Sequence, residues 1–279
     1  MRIIDAHTHI FPPEIVRQRE RFFSQDRWFQ LLYANPKAAL ATADELIASL
    51  DRTGIERAIT FGFAWADPSL CRMANDYVLE MAHRFPDRLI GFAVVNPRCG
   101  KEALQEAERC ATLGCRGIGE LMPDGQGYLP NDRQIMDELL RWLEQRHLPL
   151  LIHSNEPVGH EYYGKGDITP TVIYQMAQQH PELTLICAHW GGGLLFYELM
   201  PEVRQVLRHT YYDTAASPYL YDKRIFALAA QICREKILFA TDYPLIRQER
   251  FLRHVREAGL PAAVLSEIMG GNAARLLGL

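Results

Sequence analysis

Short runs of aliphatic and β-branched residues alternate along the whole chain with longer stretches in which apolar residues recur every three or four positions, the pattern of strands followed by amphipathic helices. Eight strand-like runs stand out, at residues 2–6, 57–61, 89–95, 115–120, 148–152, 183–188, 210–214 and 236–241. Several are apolar at nearly every position, as in Leu148-Pro149-Leu150-Leu151-Ile152, which suits parallel strands covered on both faces. Eight helical patterns follow them, at 42–51, 69–84, 101–113, 132–147, 171–180, 193–208, 222–235 and 248–258. The first has readable ends, with Thr42 as cap, Glu45 three residues on and Gly54 as stop. Strict alternation of this kind predicts an α/β fold, a (β/α)8 TIM barrel.

The 279 residues exceed the roughly 250 of a plain barrel, and no linker, repeat beyond the βα unit or low-complexity tract divides them, so 1–279 is read as one domain. Two pieces account for the excess. Residues 11–41 form a long first βα loop carrying Phe22, Phe23, Trp28, Phe29 and Tyr33 with Arg17, Arg19, Arg21 and Arg27. Such a loop is placed to act as a lid, or its aromatics simply pack over the barrel mouth. Residues 261–279 read as a C-terminal helical extension of two short helices split by Gly270-Gly271-Asn272, with Asn272 capping the second.

Composition narrows the function classes. With 30 Lys+Arg against 34 Asp+Glu the net charge is -4, and no segment concentrates basic residues as a nucleic-acid footprint requires. Cys71, Cys99, Cys110, Cys115, Cys187 and Cys233 form no CxxC pair and sit in apolar patterns, as buried free thiols of a reducing compartment do. No apolar run approaches the roughly 18 residues of a membrane helix, so a cytoplasmic protein is expected.

Six potential metal donors fall at strand ends, where a closed barrel gathers them on one rim: His7, His9, Glu120, His153, His189 and Asp242. In His7-Thr8-His9 the two imidazoles point to one face of a strand. An HxH alone is often two unrelated surface histidines; its strand-end position favours ligands. Asp5 shares that parity and is read as orienting a ligand imidazole or as buried filler. Glu120, in Arg116-Gly117-Ile118-Gly119-Glu120-Leu121, could bridge two metals or be a salt-bridged rim carboxylate. His153 and His189 each end an apolar strand, where a polar group needs a partner, a metal or, for either one alone, a backbone carbonyl. Asp242, in Phe239-Ala240-Thr241-Asp242-Tyr243-Pro244, would lie beside His7 and His9 once the ring closes. A carboxylate there binds metal and accepts a proton, unless it merely caps the turn before Pro244.

Substrate selection is expected from rim loops. After strand five come Ser154, Asn155, Glu156, His160, Tyr162, Tyr163 and Lys165, and Trp190 follows His189. Asn155, His160, Tyr163, Lys165 and Trp190 are the substrate-binding candidates, with Lys165, His160 and the arginines of 11–41 placed to grip a carboxylate; half of such a polar loop normally faces solvent.

With these motifs in place, the sequence resembles the amidohydrolase superfamily, and most of all the amidohydrolase-related (amidohydrolase 2) branch that includes aminocarboxymuconate-semialdehyde decarboxylase, resorcylate decarboxylases and metal-dependent lactone hydrolases. The resemblance runs from Asp5-Ala6-His7-Thr8-His9 through His189-Trp190-Gly191-Gly192-Gly193 and Asp242-Tyr243-Pro244 to Gly271-Asn272-Ala273-Ala274-Arg275-Leu276. It implies that His7, His9, His153 and Asp242 hold one divalent ion, zinc first and manganese second, with His189 as acid/base or electrophilic group. Glu120 departs from the decarboxylase pattern and is similar to the bridging glutamate of TatD-type deoxyribonucleases, which implies a second ion on His153 and His189. No lysine lies on strand four for a carboxylated-lysine bridge.

The first functional reading is a metal-dependent hydrolase, with Asp242 and His189 catalytic and metal-activated water attacking a small amide, lactone or ester. The second is a lyase, a decarboxylase or hydratase of an aromatic or unsaturated carboxylic acid. The third is a non-catalytic metal-binding scaffold, disfavoured because Asp242 and His189 offer proton transfer beyond what retention needs. The expected partner is a small molecule, a carboxylate among the candidates, with neither nucleic acid nor membrane. Trp142, Trp190 and the rim aromatics leave room for a homodimer contact.

Overall fold

A computed structural model describes residues 1–279. The eight runs form parallel strands β1 (Ile4–His9), β2 (Arg57–Phe61), β3 (Leu89–Gly91), β4 (Ile118–Leu121), β5 (Leu150–Ile152), β6 (Leu185–Cys187), β7 (Thr210–Asp213) and β8 (Ile237–Leu238). β1 to β3 make one ladder and β4 to β8 another. Two seams close the ring. At one, the Ala93 amide donates to Gly117 O (3.0 Å) and the Gly119 amide to Ala93 O (2.8 Å). At the other, the Ala6 amide donates to Phe239 O (2.8 Å), the His9 amide to Tyr243 O (2.7 Å) and the Asp242 amide to His7 O (3.0 Å). The result is the (β/α)8 barrel expected from the alternation.

The outer layer consists of α1 (Ala43–Thr53), α2 (Pro68–Arg84), α3 (Lys101–Thr112), α4 (Arg133–Arg146), α5 (Pro170–Gln179), α6 (Pro201–Val206), α7 (Ile225–Cys233) and α8 (Gln248–Arg256). Residues facing outward from the strands, such as Leu150, Ile152, Leu185 and Cys187, join the helices in a core of 51 buried residues. Their neighbours Leu151, Ile186 and Leu238 join Ile4, Phe61 and Phe92 in a second core of 27 that fills the ring and extends into the 11–41 excursion packed over it. The period-two pattern therefore separates two apolar layers, as strands covered on both faces require.

Four expectations need correction. Residues 193–208 are not one helix: the chain is left-handed from His189 to Gly193, and only Pro201–Val206 is α-helical, because Pro201 has no amide to continue a preceding turn. The C-terminal glycines do not split two helices; Ala262–Ser266 runs through a π-turn into Asn272–Leu277. Asn272 does not cap that helix but donates through Nδ2 to Arg234 O (2.7 Å) and Ile237 O (2.8 Å), tying the extension to the start of β8. Trp190 is fully buried, donates to Ser217 Oγ at 2.6 Å, and so offers no surface for a dimer.

The excursion at 11–41 is fixed by packing. Phe29 stacks on Trp65 and Tyr33 (ring centroids 4.6 and 4.8 Å), and Phe22 is buried beside Trp65. Asp26 caps a short helix through the Phe29 amide and also accepts from the Ala66 amide, at 2.8 and 2.9 Å. Arg19 donates to Ala38 O (2.7 Å), and none of Arg17, Arg19, Arg21 and Arg27 reaches the cavity at the barrel mouth. The cysteines are all free; five are buried and Cys99 is half-buried. No helix is long and apolar enough to cross a membrane.

Candidate active site

The backbone at two strand ends is irregular, and that irregularity aims the donors. The β1–β2 register slips between Asp5 and Thr8, and the β4–β5 register between Ile118 and Leu121. A slip of this kind turns the following side chains to the other face. Asp5 therefore faces the helix layer, where its carboxylate accepts from the Thr241 amide (2.9 Å), the Thr241 hydroxyl (2.6 Å) and the Gln248 side chain (2.7 Å). It contacts no ligand imidazole and instead ties β1 to the β8 side. His7 and His9, beyond the slip, face the axis.

There all six candidate donors meet, all buried. His7 Nε2 and His9 Nε2 are 3.2 Å apart. Asp242 Oδ1 lies 3.6 and 3.4 Å from them, and Glu120 Oε2 lies 3.5 and 3.6 Å from them. The other Glu120 oxygen, Oε1, is 2.9 Å from His153 Nδ1 and 3.6 Å from His189 Nε2, and those two nitrogens are 3.2 Å apart. His153 thus groups with Glu120 and His189 rather than with the His7, His9 and Asp242 set that the decarboxylase resemblance implies.

The outer ring nitrogens explain the inner ones. His7 Nδ1 donates to Asp213 Oδ2 (2.7 Å), His189 Nδ1 to Ala215 O (3.2 Å) and His153 Nε2 to Asn155 Oδ1 (3.3 Å). In the neutral ring each such bond leaves the inner nitrogen a lone pair aimed at the site, where it can join the carboxylates as a ligand. Donors around one tetrahedral ion with bonds of about 2.0–2.1 Å stand roughly 3.3–3.4 Å apart, close to the spacing found here. The residues present fit a divalent cation at His7, His9, Glu120 and Asp242, and Glu120, His153 and His189 offer three donors for a second.

The buried imidazoles and carboxylates shift one another's charge states. Burial alone would lower the His189 imidazole, but its bond to Glu120 and the charges of Asp242, Glu120 and Asp213 raise it to about 9. Burial likewise opposes the charged form of Asp242, yet the His9 bond and the neighbouring imidazoles bring it down to about 2. His7 moves up and Glu120 down for the same reason, each against its own burial. Protons occupy the role that a cation would fill.

Two glycines are required by the close approach of backbone to this centre. At Gly119 φ is +125°, and a Cβ would lie 2.0 Å from Leu151 O; at Gly192 φ is +58°, and a Cβ would lie 2.1 Å from Asn155 O. Asp242 and His189 themselves have φ of 61° and 56°, costly for such residues and concentrated at this rim.

Above the donors a cavity of about 510 Å³ opens at the barrel mouth. Its walls include Tyr33, Phe63, Met122, Tyr162 and Tyr219, and Lys37 stands at the rim. Of the expected substrate residues, His160 and Tyr163 line it. The other three do not. Asn155 is buried behind His153; Trp190 belongs to the core; and Lys165 Nζ pins its own loop through Gly159 O (3.4 Å) and His160 O (3.2 Å). Sequence reasoning missed Asp213, although a carboxylate ending β7 carries the same signal as Asp242. It also missed Lys37, the lone lysine of the 11–41 excursion.

Comparison with known proteins follows the same lines. The amidohydrolase family model matches residues 4–279. This chain belongs to the amidohydrolase family, in its amidohydrolase 2 branch. It is 23% identical to gamma-resorcylate decarboxylase of Rhizobium radiobacter, over 85% of this chain and 86% of that one. It is also 23% identical to 2-amino-3-carboxymuconate-6-semialdehyde decarboxylase of Dictyostelium discoideum, over 99% of this chain and 91% of the relative. The fold superposes with a TM-score of 0.81 on 5-carboxyvanillate decarboxylase of Novosphingobium aromaticivorans, solved with manganese and 3-methoxy-4-hydroxy-5-nitrobenzoic acid, at 18% identity over 100% and 97% of the two chains.

Proposed function

We propose that the protein is a metal-dependent lyase that removes carbon dioxide from a small hydroxylated aromatic or unsaturated carboxylic acid. The observation that carries this reading is the union of a six-donor cluster with an aromatic-walled cavity of about 510 Å³ directly above it. Flat walls from Tyr33, Phe63 and Tyr219 suit a planar substrate. Decarboxylation is further supported by the relatives matched over most of their length, which are decarboxylases by name. They move hydrolysis, the first reading of the sequence, to second place.

A divalent ion held by these donors would supply positive charge that stabilises negative charge developing on the substrate. The protein's own residues do the rest. Tyr33 and Tyr219 hold the ring, and Lys37 with His160 meets anionic substituents at the rim. When the bond to the carboxyl carbon breaks, its electron pair stays on the substrate carbon, and a proton from His189 Nε2 replaces the departing carbon dioxide. The apolar walls exclude water from that transfer.

A second reading, hydrolysis of an amide, lactone or ester, is favoured by Glu120, whose two oxygens face different donor sets as a ligand shared by two ions would. Protein loaded with manganese or zinc, assayed against hydroxybenzoates and against lactones and amides, separates the two. The lyase reading expects carbon dioxide release, with one solvent deuterium placed on the product carbon. Ring-opening or amide cleavage without carbon dioxide would replace it with the hydrolase.

A further inference from the structure

A second concavity, of about 700 Å³, lies on the outer wall between α1 and α8. Four guanidinium groups line it: Arg52 from α1, Arg247 just before α8, and Arg250 and Arg253 within α8. Only one carboxylate, Glu249, shares the lining, and it is committed to Arg52 at 3.2 Å. Arg250 is held by Tyr219, whose hydroxyl lies 3.3 Å from Nη1 and whose ring lies 5.1 Å below the guanidinium. Arg247 and Arg253 have no carboxylate partner.

This is unusual in a chain of net charge -4. Guanidinium groups three residues apart on one helix repel one another, and a merely solvated face gains nothing from gathering them around a hollow. The floor is polar as well: Ser49 is buried there, its hydroxyl donating to Gln248 Oε1 at 2.7 Å. All four cations are arginines and none is lysine, which favours the paired oxygens of phosphate over a point charge. The first amides of α8 add partial positive charge beside Arg247 and Arg250. Tyr243 is the one hydrophobic residue in the lining, so nothing there would take an acyl chain.

We propose that this groove binds a small soluble molecule carrying two or more phosphate groups. The site is separate from the substrate cavity but adjoins it, since Tyr219, which Arg250 grips, forms part of the cavity wall. Binding does not depend on which reaction the metal centre performs.

The probe is fructose 1,6-bisphosphate, titrated calorimetrically into the protein at low ionic strength, with fructose and with phosphatidylcholine vesicles containing phosphatidylserine as parallel arms. Saturable one-to-one binding of the bisphosphate is expected, with none of fructose and none of the vesicles. The double variant Arg247→Glu/Arg253→Glu changes two exposed side chains without carboxylate partners and should keep the fold, checked by circular dichroism. It is expected to bind at least about tenfold more weakly. Arg247→Lys/Arg253→Lys should fall between, since charge is kept and the paired geometry lost. Salt at about 0.3 M should weaken binding by wild type and by the Lys variant. Absence of saturable binding, equal affinity in wild type and the Glu variant, or binding confined to vesicles would overturn the proposal; a bisphosphate bound at the metal centre would give the second result.

Discussion

The two donor sets that share Glu120 are built differently. His7, His9 and Asp242 come from β1 and the β8 seam, where the Asp242 amide is bonded to His7 O at 3.0 Å, and His7 is locked from behind by Asp213 at 2.7 Å. With one Glu120 oxygen they make four donors. His153 and His189 with the other oxygen make three, and their outer nitrogens are held at 3.2 to 3.3 Å; all three residues line the cavity, as do His9 and Asp242, whereas His7 does not. Metal sites with four protein ligands retain ions, whereas sites with fewer keep positions free for chemistry. The first set accordingly suits retention and the second suits substrate and proton transfer.

The largest test of that contrast is Asp242→Asn, which keeps volume and removes a charge from the retaining set. Bound metal is expected to fall below one equivalent and turnover by about 10³-fold or more, read by elemental analysis and kcat. Unchanged metal content would remove Asp242 from the retaining set. His189→Asn should do the opposite on the first axis: at least one ion stays, while kcat falls by about 10²–10⁴-fold. Loss of all metal in that variant would erase the distinction between the sets.

Asp213→Asn should come next. The imidazole loses its charged acceptor, and metal affinity is expected to fall about 10–100-fold while secondary structure is kept, measured by competition with a chelator. An unchanged affinity would mean that the retaining set does not depend on its support.

The smallest effect is on stability without metal. His189, raised from the usual 6.5 to about 9, contributes stability that is complete below pH 6.5 and lost as pH rises through 9. Asp242, lowered from 3.8 to about 2, contributes above pH 3.8 and loses that as pH falls through 2. The Tm of metal-free protein should therefore drop between pH 6.5 and 9, whereas loaded protein should hold, because ligands bind metal only after giving up those protons. A metal-free Tm that rises over the same range would contradict the proton-for-cation exchange.

The same contrast shows what could be read in advance. Donors at strand ends were legible because an apolar run that stops at a polar residue marks the rim whatever the local backbone does there, and this holds for His7, His9, Glu120, His153, His189 and Asp242. Asp5 was not, since parity counting cannot see the slip after it in β1. Lys165 and Asn155 were misplaced for a related reason: a loop's side chains are aimed by long-range contacts, such as the Asn155 amide on Ile168 O at 2.8 Å, that no local pattern records. Glycine's effect was seen only in part, because a run of left-handed residues beginning at His189 looks like a helix start to any apolar periodicity.

The central claim is that the six buried donors converge to hold a divalent cation, and anomalous diffraction at the manganese and zinc edges from crystals of the metal-loaded protein tests it most directly. A peak among His7, His9, Glu120 and Asp242 is expected, with any second peak among Glu120, His153 and His189. Metal-replete crystals with no peak at the barrel mouth, or with the ion bound elsewhere, would contradict it.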